Sequence, residues 1–229
     1  MPQPTPIVIA IAGGPASGKK SVQSALKSAL ETLHAAPFTV YTLHQTDFLR
    51  RPTTLHSTAS AVNATADAER QEAYDLDALT DAITRQGQGA DVVIVEGTYV
   101  LAFRRIVERA DVKVFVDCDS DVRLARRVVR DLALGTPLDS IFEQHVRYSK
   151  TCYERTILPT KQISDIILPG GGSWSAGVEL IAHGVVDDLV GKRGGVKATA
   201  GGKVDTMGLP LVLGETDLGV GMPSYYETV

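Results

Sequence analysis

The stretch of sequence that determines the fold reads Gly13-Gly14-Pro15-Ala16-Ser17-Gly18-Lys19-Lys20-Ser21. It follows a continuously apolar run at residues 7–12, which is typical of a strand buried on both faces. A helical pattern then extends from about residue 18 to about residue 35. A strand, a Gly-rich turn and a helix in this order predict a loop whose backbone N–H groups bind phosphate.

The loop matches the spacing G-x-x-x-x-G-K through Gly13, Gly18 and Lys19 but departs from the motif at Lys20. A Ser or Thr hydroxyl normally binds Mg²⁺ at that position, and Ser21 lies one residue later, about 100° further round the helix. We expect the whole loop to bind nucleotide phosphates, with Lys19 on the β- and γ-phosphates. The alternative is a Gly-rich turn that only caps a helix. The Lys20 ammonium either repels the metal or replaces part of its charge, and the sequence leaves both open.

The rest of the chain alternates apolar runs with segments of helical periodicity. Strands are predicted at about 38–43, 92–95, 112–116 and 165–168, and helices at about 76–85, 121–132, 138–156 and 177–190. This alternation predicts an α/β fold of three αβα layers around a parallel five-stranded sheet. Residues 53–67 are predicted to be a mobile loop. We expect one domain over residues 1–190, followed by a Gly-rich linker and C-terminal tail over 191–229.

Composition and charge exclude several functional classes. The 229 residues are 44% apolar and 22% charged, which is ordinary for a globular protein. No stretch approaches the ~20 apolar residues of a membrane helix, and residues 1–6 do not resemble a secretory signal. The net charge of −4 argues against a nucleic-acid binder, and Cys118 and Cys152 show no metal or redox spacing. We therefore expect a cytoplasmic or nuclear protein with neither a nucleic-acid nor a membrane partner.

The loop resembles that of uridine–cytidine kinases, which reads like Gly-Gly-Thr-Ala-Ser-Gly-Lys-Ser-Ser. Residues 92–97 (VVIVEG) resemble the Walker-B-like strand of that family, 115–131 (FVDCDSDVRLARRVVRD) the start of its lid helix, and 158–169 (LPTKQISDIILP) its last core strand. The resemblance covers roughly residues 7–190 in family order. It implies a P-loop NTPase-type fold with a short helical lid, ATP and Mg²⁺ as cofactors, and γ-phosphoryl transfer to the 5′-hydroxyl of uridine or cytidine in pyrimidine salvage. Members of the family often form homo-oligomers, although no residue here indicates one.

The resemblance also locates a catalytic base. The family places an Asp after the second strand, in a motif like Gln-Asp-x-Phe-Tyr-Arg, and residues 45–50 here read QTDFLR. An ungapped match puts Thr46 at the base position, whereas a slip of one residue puts Asp47 there. Since a threonine cannot accept the proton, Asp47 is the candidate base. The alternative for Asp47 is to cap a loop.

Further site residues follow from the same resemblance. Arg127 and Arg130, three residues apart on one helix face, match family arginines near the substrate and phosphates; the alternative is a solvated helix face. Glu96 and Ser21 are the candidate metal-binding residues, with Glu96 holding the metal or a water bound to it. The alternative for Glu96 is a buried structural role. Substrate binding is assigned to Asp75, Tyr99, Phe103, Arg127 and Gln144. The alternative roles are an N-cap for Asp75 and apolar packing for the two aromatic residues.

Departures from the family pattern fall on separate catalytic parts. These are Lys20 at the metal ligand, Thr46 at the base, and an uncharged lid at 132–137 (LALGTP), where the family carries further arginines. Loss of an arginine at transferring phosphate can cost ~10³-fold or more in rate. Two hypotheses follow: an active nucleoside kinase, or a weakened or inactive member that binds nucleotide and acts as a scaffold or regulator. A third is a kinase for another riboside or a small sugar, because the acceptor-side loop is rearranged.

Overall fold

A computed structural model describes residues 5–33, 38–50, 70–172 and 174–193. Of the two units into which the chain divides, only Met1–Val196 contains described residues. The predicted loop at 53–67 and all of the predicted tail beyond residue 193 lie outside these ranges.

The centre of the protein is a parallel sheet of five strands in the order β2-β3-β1-β4-β5. The strands are β1 Ile7–Gly13, β2 Val40–His44, β3 Val92–Glu96, β4 Val112–Asp117 and β5 Ile166–Pro169. Each neighbouring pair is parallel, so the carboxyl ends of all five strands lie at one edge. This confirms the predicted α/β class and sheet. β1 lies between β3 and β4, which makes its carboxyl end the point where ligands of such folds bind.

Helices cover both faces of this sheet. They are α1 Lys19–Thr32, α2 Leu76–Gly87, α3 Arg104–Val107, α4 Ser120–Ala133, α5 Leu138–Gln144 and α6 Ser175–Arg193. After α5 the chain continues through π-helical turns at His145–Ser149 and Tyr153–Ile157, so the predicted helix at 138–156 has the expected extent but not a uniform α-helical geometry. None of the helices in the described part of the chain combines the length and apolar character needed to cross a bilayer.

Strand β1 divides the core into two layers because its side chains alternate between the two faces of the sheet. The side chains of Ile7, Ile9 and Ile11 pack against α1 and α6. The alternate side chains of the strand point to the opposite face of the sheet and pack against α2 and α3. Each fully buried Ile or Leu contributes about 1.5–3 kcal/mol of transfer free energy. The layers hold β1, and therefore the loop that follows it, in a fixed position. The residues on the α2 side are Val8, Ala10 and Ala12.

Gly170, directly after β5, occupies a space that no side chain can share. A Cβ atom built there lies 2.7 Å from the Ser17 carbonyl oxygen, 2.9 Å from that of Asp117, and against the Cβ of Cys118. We expect Gly170→Ala to lower the free energy of unfolding by about 1–3 kcal/mol, because backbone atoms must shift. Gly171→Ala is the matched control, since nothing lies within 4 Å of its Cβ. Urea denaturation followed by circular dichroism measures both, and equal midpoints for the two variants would contradict this packing.

Candidate functional site

The loop between β1 and α1 has the backbone conformation of an anion-binding turn. Gly13, Ala16 and Gly18 have φ values of 152°, 58° and 101°, and the Ser17 N–H donates to the Gly14 carbonyl at 3.2 Å. Gly18 is the N-cap of α1, and the first turn of this helix carries no acidic side chain. Its first N–H groups therefore point at a space that an anion can occupy. The loop thus has the geometry that the sequence predicts for phosphate binding.

Lys19 is held inside this loop. Its side chain is 8% exposed, and its Nζ donates to the Gly14 carbonyl oxygen at 2.7 Å. Burial lowers the pKa of the Lys19 ammonium to about 8. The charges of Arg123, Arg130 and Lys20 lower this pKa further, and the carboxylate of Glu96 opposes them. A desolvated ammonium in a cationic environment lacks a strong counter-ion, and a phosphate would supply one.

The lowered pKa of Lys19 predicts a pH-dependent affinity for nucleotide. Because this pKa is about 8 in the folded protein and 10.5 ordinarily, Lys19 destabilises the unliganded protein below pH 8, and the effect disappears as the pH rises toward 10.5. A bound triphosphate favours the charged form, so we expect nucleotide affinity to fall by up to about tenfold per pH unit above pH 8. Titration calorimetry at pH 7 and pH 9.5 measures this, and buffers of different ionisation enthalpy should reveal proton uptake. Equal affinities at both pH values would contradict the assignment.

Four arginines on α4 approach the loop. Arg126 and Arg130 line the cavity beside it and are exposed, and Arg126 Nη1 donates to the Gly170 carbonyl at 2.8 Å. Arg123 instead lies behind the loop, where its guanidinium stacks 3.8 Å above the ring of Tyr153 and its Nε donates to the Cys118 carbonyl. The fourth is Arg127, which also lines the cavity. Three of the four arginines therefore face the cavity, the predicted Arg127 and Arg130 among them, and one supports the loop.

Arg127 is a buried junction between α4 and the segment after α5. It donates to Gln144 Oε1 at 3.1 Å, to Asp131 Oδ2 at 3.3 Å and to the hydroxyl of Ser149. Arg130 also contacts Asp131, at 2.7 Å. Burial raises the pKa of the Asp131 carboxyl, but the hydrogen bonds and charges of the two arginines outweigh it and lower this pKa. Arg127 and Gln144, each predicted to bind the substrate, are thus in contact, with fixed orientations, at the cavity wall.

Glu96 ends β3 beside the loop, as the sequence predicts. The side chain is 3% exposed and lines the cavity, and its Oε1 lies 3.0 Å from Nδ1 of His44 at the end of β2. The two residues are neighbours because β2 and β3 pair in register, with His44 opposite Glu96. A buried carboxylate aimed into a cavity next to a buried ammonium is suited to chemistry on a phosphate.

The segment after β2 places Thr46, rather than Asp47, at the cavity. Gln45 is buried, and its Oε1 accepts from the Tyr99 N–H at 2.8 Å, which anchors the start of a 3₁₀ helix at Gln45–Phe48. Thr46 follows on the cavity wall, and Asp47 is exposed and outside the lining. The sequence-based choice of Asp47 over Thr46 therefore gains no support from position, because successive residues of a 3₁₀ helix point in directions about 120° apart.

The residues predicted to bind the substrate are only partly brought together. Tyr99 lines the cavity, with its ring centroid 6.1 Å from that of Tyr74. Phe103 is not among the lining residues and packs against the core beneath α2 and α3. Asp75 is also outside the lining, and its Oδ1 accepts from the Ala78 N–H at 2.9 Å as the N-cap of α2. For Asp75 and Phe103 the structure thus shows the structural alternatives, capping and packing.

These groups surround one cavity of about 790 Å³, within the usual range for small-molecule sites. The phosphate loop, Glu96, Tyr99, Gln144, Arg127 and Arg130 were predicted from the sequence, whereas several other wall residues were not. Asp131 was detectable, since it lies four residues after Arg127 on the same helix face. Five more adjoin, in the sequence, residues that were singled out; they are Gln45, Tyr74, Gly97, Thr98 and Arg126. The remaining ones are Leu134, Thr136, Gly170, Gly172 and Trp174.

The residues available to a metal do not form the usual set. Ser21 and Glu96 both line the cavity, but Lys20 lies there too, at the position from which a phosphate loop normally presents its metal-binding hydroxyl. An ammonium in place of a hydroxyl replaces a ligand with a like charge. The donor set therefore does not fit Mg²⁺ in the manner of a standard phosphate loop.

Comparisons with known proteins give matches over most of the chain. The family model described as phosphoribulokinase / uridine kinase matches residues 8–91 and 84–174. A uridine kinase of Latilactobacillus sakei is 33% identical over 193 aligned residues, and the match covers 77% of this chain and 91% of that protein. One of Streptococcus gordonii is 33% identical over 196 aligned residues, and the match covers 78% of this chain and 93% of that protein. The mouse uridine-cytidine kinase-like 1 protein is 27% identical over 215 residues, covering 83% of this chain but 38% of its own length.

A solved structure supports the fold separately. A proposed fructose transport system kinase from a Silicibacter species superposes with a TM-score of 0.56 at 19% identity, covering 73% of this chain and 92% of its own. At that identity the likeness concerns the fold alone. The family model, by contrast, spans residues that include the phosphate loop and the strand that ends at Glu96, and each of the two bacterial relatives matches more than three quarters of this chain. The chain belongs to the phosphoribulokinase/uridine kinase family.

Proposed function

We propose that this protein is an ATP-dependent nucleoside kinase that transfers the γ-phosphoryl group to the 5′-hydroxyl of uridine or cytidine. The observation that carries the proposal is one cavity in which the phosphate loop, a buried carboxylate and three arginines converge. Phosphoryl transfer requires little covalent chemistry from the protein, and catalysis depends on positioning and on cations around the transferring group. The names of the bacterial relatives support uridine as an acceptor.

The donor side is formed by the loop and the cationic face of α4. The N–H groups at the start of α1 bind the phosphate oxygens, and Lys19 contacts the β- and γ-phosphates. Arg126 and Arg130 supply exposed cations at the cavity. To reach the transferring group, Arg126 would exchange its contact with the Gly170 carbonyl, and Arg130 its contact with Asp131. Arg127 is held by Asp131, Gln144 and Ser149, so it acts as a fixed charge on the acceptor side.

The acceptor side needs a group that takes the hydroxyl proton. Of the described residues on the cavity wall, Glu96 and Asp131 are the carboxylates. Asp131 is a poor base, because the hydrogen bonds and charges of Arg130 and Arg127 lower its pKa. We therefore assign the role to Glu96: the 5′-oxygen attacks the γ-phosphorus, its proton passes to the Glu96 carboxylate, and the bond to the β–γ bridging oxygen breaks to release ADP.

A second candidate function is nucleotide binding without catalysis. Thr46 lies on the cavity wall where the family motif has its base, and the lid residues on that wall, Leu134 and Thr136, are uncharged. Such a protein would act as a scaffold or regulator through a partner. A third candidate is a kinase for another riboside or a small sugar, which differs from the first only in its acceptor.

The experiment incubates the purified protein with γ-labelled ATP and a panel of uridine, cytidine, other ribosides and small sugars. We expect labelled monophosphate from uridine or cytidine. Transfer only to another acceptor would support kinase activity but show that the acceptor is not uridine or cytidine. A folded protein that binds ATP but labels no acceptor would favour the non-catalytic function instead.

A further inference from the structure

Lys20 gives the phosphate site a second ammonium. It follows Lys19 in the first turn of α1, and its side chain is exposed on the wall of the same cavity. Its charge is close enough to contribute to the lowered pKa of Lys19. The two lysines therefore act on the same volume, at the amino end of a helix whose dipole also favours negative charge.

The remaining candidate ligands do not restore a metal site. Ser21 lines the cavity, but its side chain leaves the helix about 100° away from that of Lys20. One oxygen of Glu96, Oε1, already lies 3.0 Å from the His44 ring nitrogen. A divalent cation at the ordinary position would meet one carboxylate and a like-charged ammonium.

The charge balance of the cavity points the same way. Its described lining residues include two lysines and three arginines but only two carboxylates. A metal-free triphosphate carries more negative charge than its Mg²⁺ complex. A cation-rich wall therefore attracts the metal-free form more strongly. The exposed Lys20 ammonium is free to reach the oxygens that Mg²⁺ would otherwise bridge.

From this arrangement we infer that the protein binds nucleoside triphosphate without a divalent cation, with the Lys20 ammonium in place of the metal. The inference rests on the proposed function, because it concerns the donor nucleotide of the same site. It specifies the donor as a metal-free nucleoside triphosphate and adds Lys20 to the groups that bind the β- and γ-phosphates. Restoring the hydroxyl at position 20 should restore dependence on the metal.

The test measures binding of the β,γ-imido analogue of ATP by calorimetry, once with Mg²⁺ and once with EDTA. For the natural chain we expect the dissociation constants with Mg²⁺ and with EDTA to differ by less than about threefold, or binding to be tighter with EDTA. For Lys20→Ser we expect affinity in EDTA to fall by about tenfold or more and to recover on addition of Mg²⁺. Lys27→Ser is the matched control, since Lys27 lies on the same helix, outside the cavity lining, in an exposed pair with Glu31.

The outcomes separate the inference from the proposed function. If Mg²⁺ tightens binding of the analogue to the natural chain by more than about threefold, the inference is overturned, whereas the proposed nucleoside kinase function still stands. No binding of the analogue in either condition by a folded protein would overturn both. Should Lys20→Ser fail to fold, Lys20→Met removes the charge without the hydroxyl, and we expect it to weaken binding in EDTA and gain nothing from Mg²⁺.

Discussion

Lys19→Ala is expected to abolish measurable phosphoryl transfer, with a loss of about 10³-fold in kcat/KM. Lys19 is nearly buried in the loop, and its Nζ is oriented by the Gly14 carbonyl at 2.7 Å. A preoriented cation in a site that excludes water stabilises developing phosphate charge far more than a solvated one does. The assay is γ-label transfer to uridine, run beside a binding measurement with the β,γ-imido analogue of ATP.

The same variant distinguishes a binding role from a structural one. Burial makes the Lys19 ammonium unfavourable in the unliganded protein, as its pKa of about 8 indicates. Removing it should therefore leave the unfolding midpoint in urea unchanged or higher at pH 7. Lys27→Ala, further along α1, is the control and should retain full activity. Transfer by Lys19→Ala within tenfold of the natural chain would show that this loop does not bind the reacting phosphates.

The sheet and the phosphate loop could be predicted from the sequence because their signals are local. The run at 7–12 is apolar at every position, which only a strand covered on both faces tolerates. Each of the other strands lies within three residues of its predicted bounds. Lys19 and Glu96 could be placed because both residues stand at the carboxyl end of such a strand or just after it.

The acceptor side could not be predicted as well, because it depends on side-chain direction and on distant segments. The difference between Thr46 and Asp47 is one residue in a 3₁₀ helix, and its rotation is set by the buried Gln45 and its bond to Tyr99. From the sequence, Asp75 could either bind the substrate or cap α2. The hydrogen bond that its side chain accepts from the Ala78 N–H shows the cap. Trp174 reaches the cavity from beyond β5, and no local pattern indicates this.

Glu96→Gln is expected to lower kcat by about 10²- to 10⁴-fold, whereas Asp47→Asn is expected to leave it within about threefold of the natural chain. Glu96 is buried on the cavity wall and Asp47 is exposed outside it. The glutamine keeps the size of the side chain and its contact with His44, so the unfolding midpoint should change little. Only the capacity to take the hydroxyl proton is removed, and KM for ATP should stay nearly constant.

A pH–rate profile gives the sharper comparison of the two carboxylates. If Glu96 accepts the proton, the acidic limb of kcat disappears in Glu96→Gln and persists in Asp47→Asn. The reverse pattern would mean that the Gln45–Phe48 helix turns when substrate binds and brings Asp47 to the hydroxyl, as the family motif implies. If both variants transfer phosphate and keep the acidic limb of kcat, positioning and cations alone sustain the reaction. That result is physically reasonable, because phosphoryl transfer through a loose transition state makes little demand on a base.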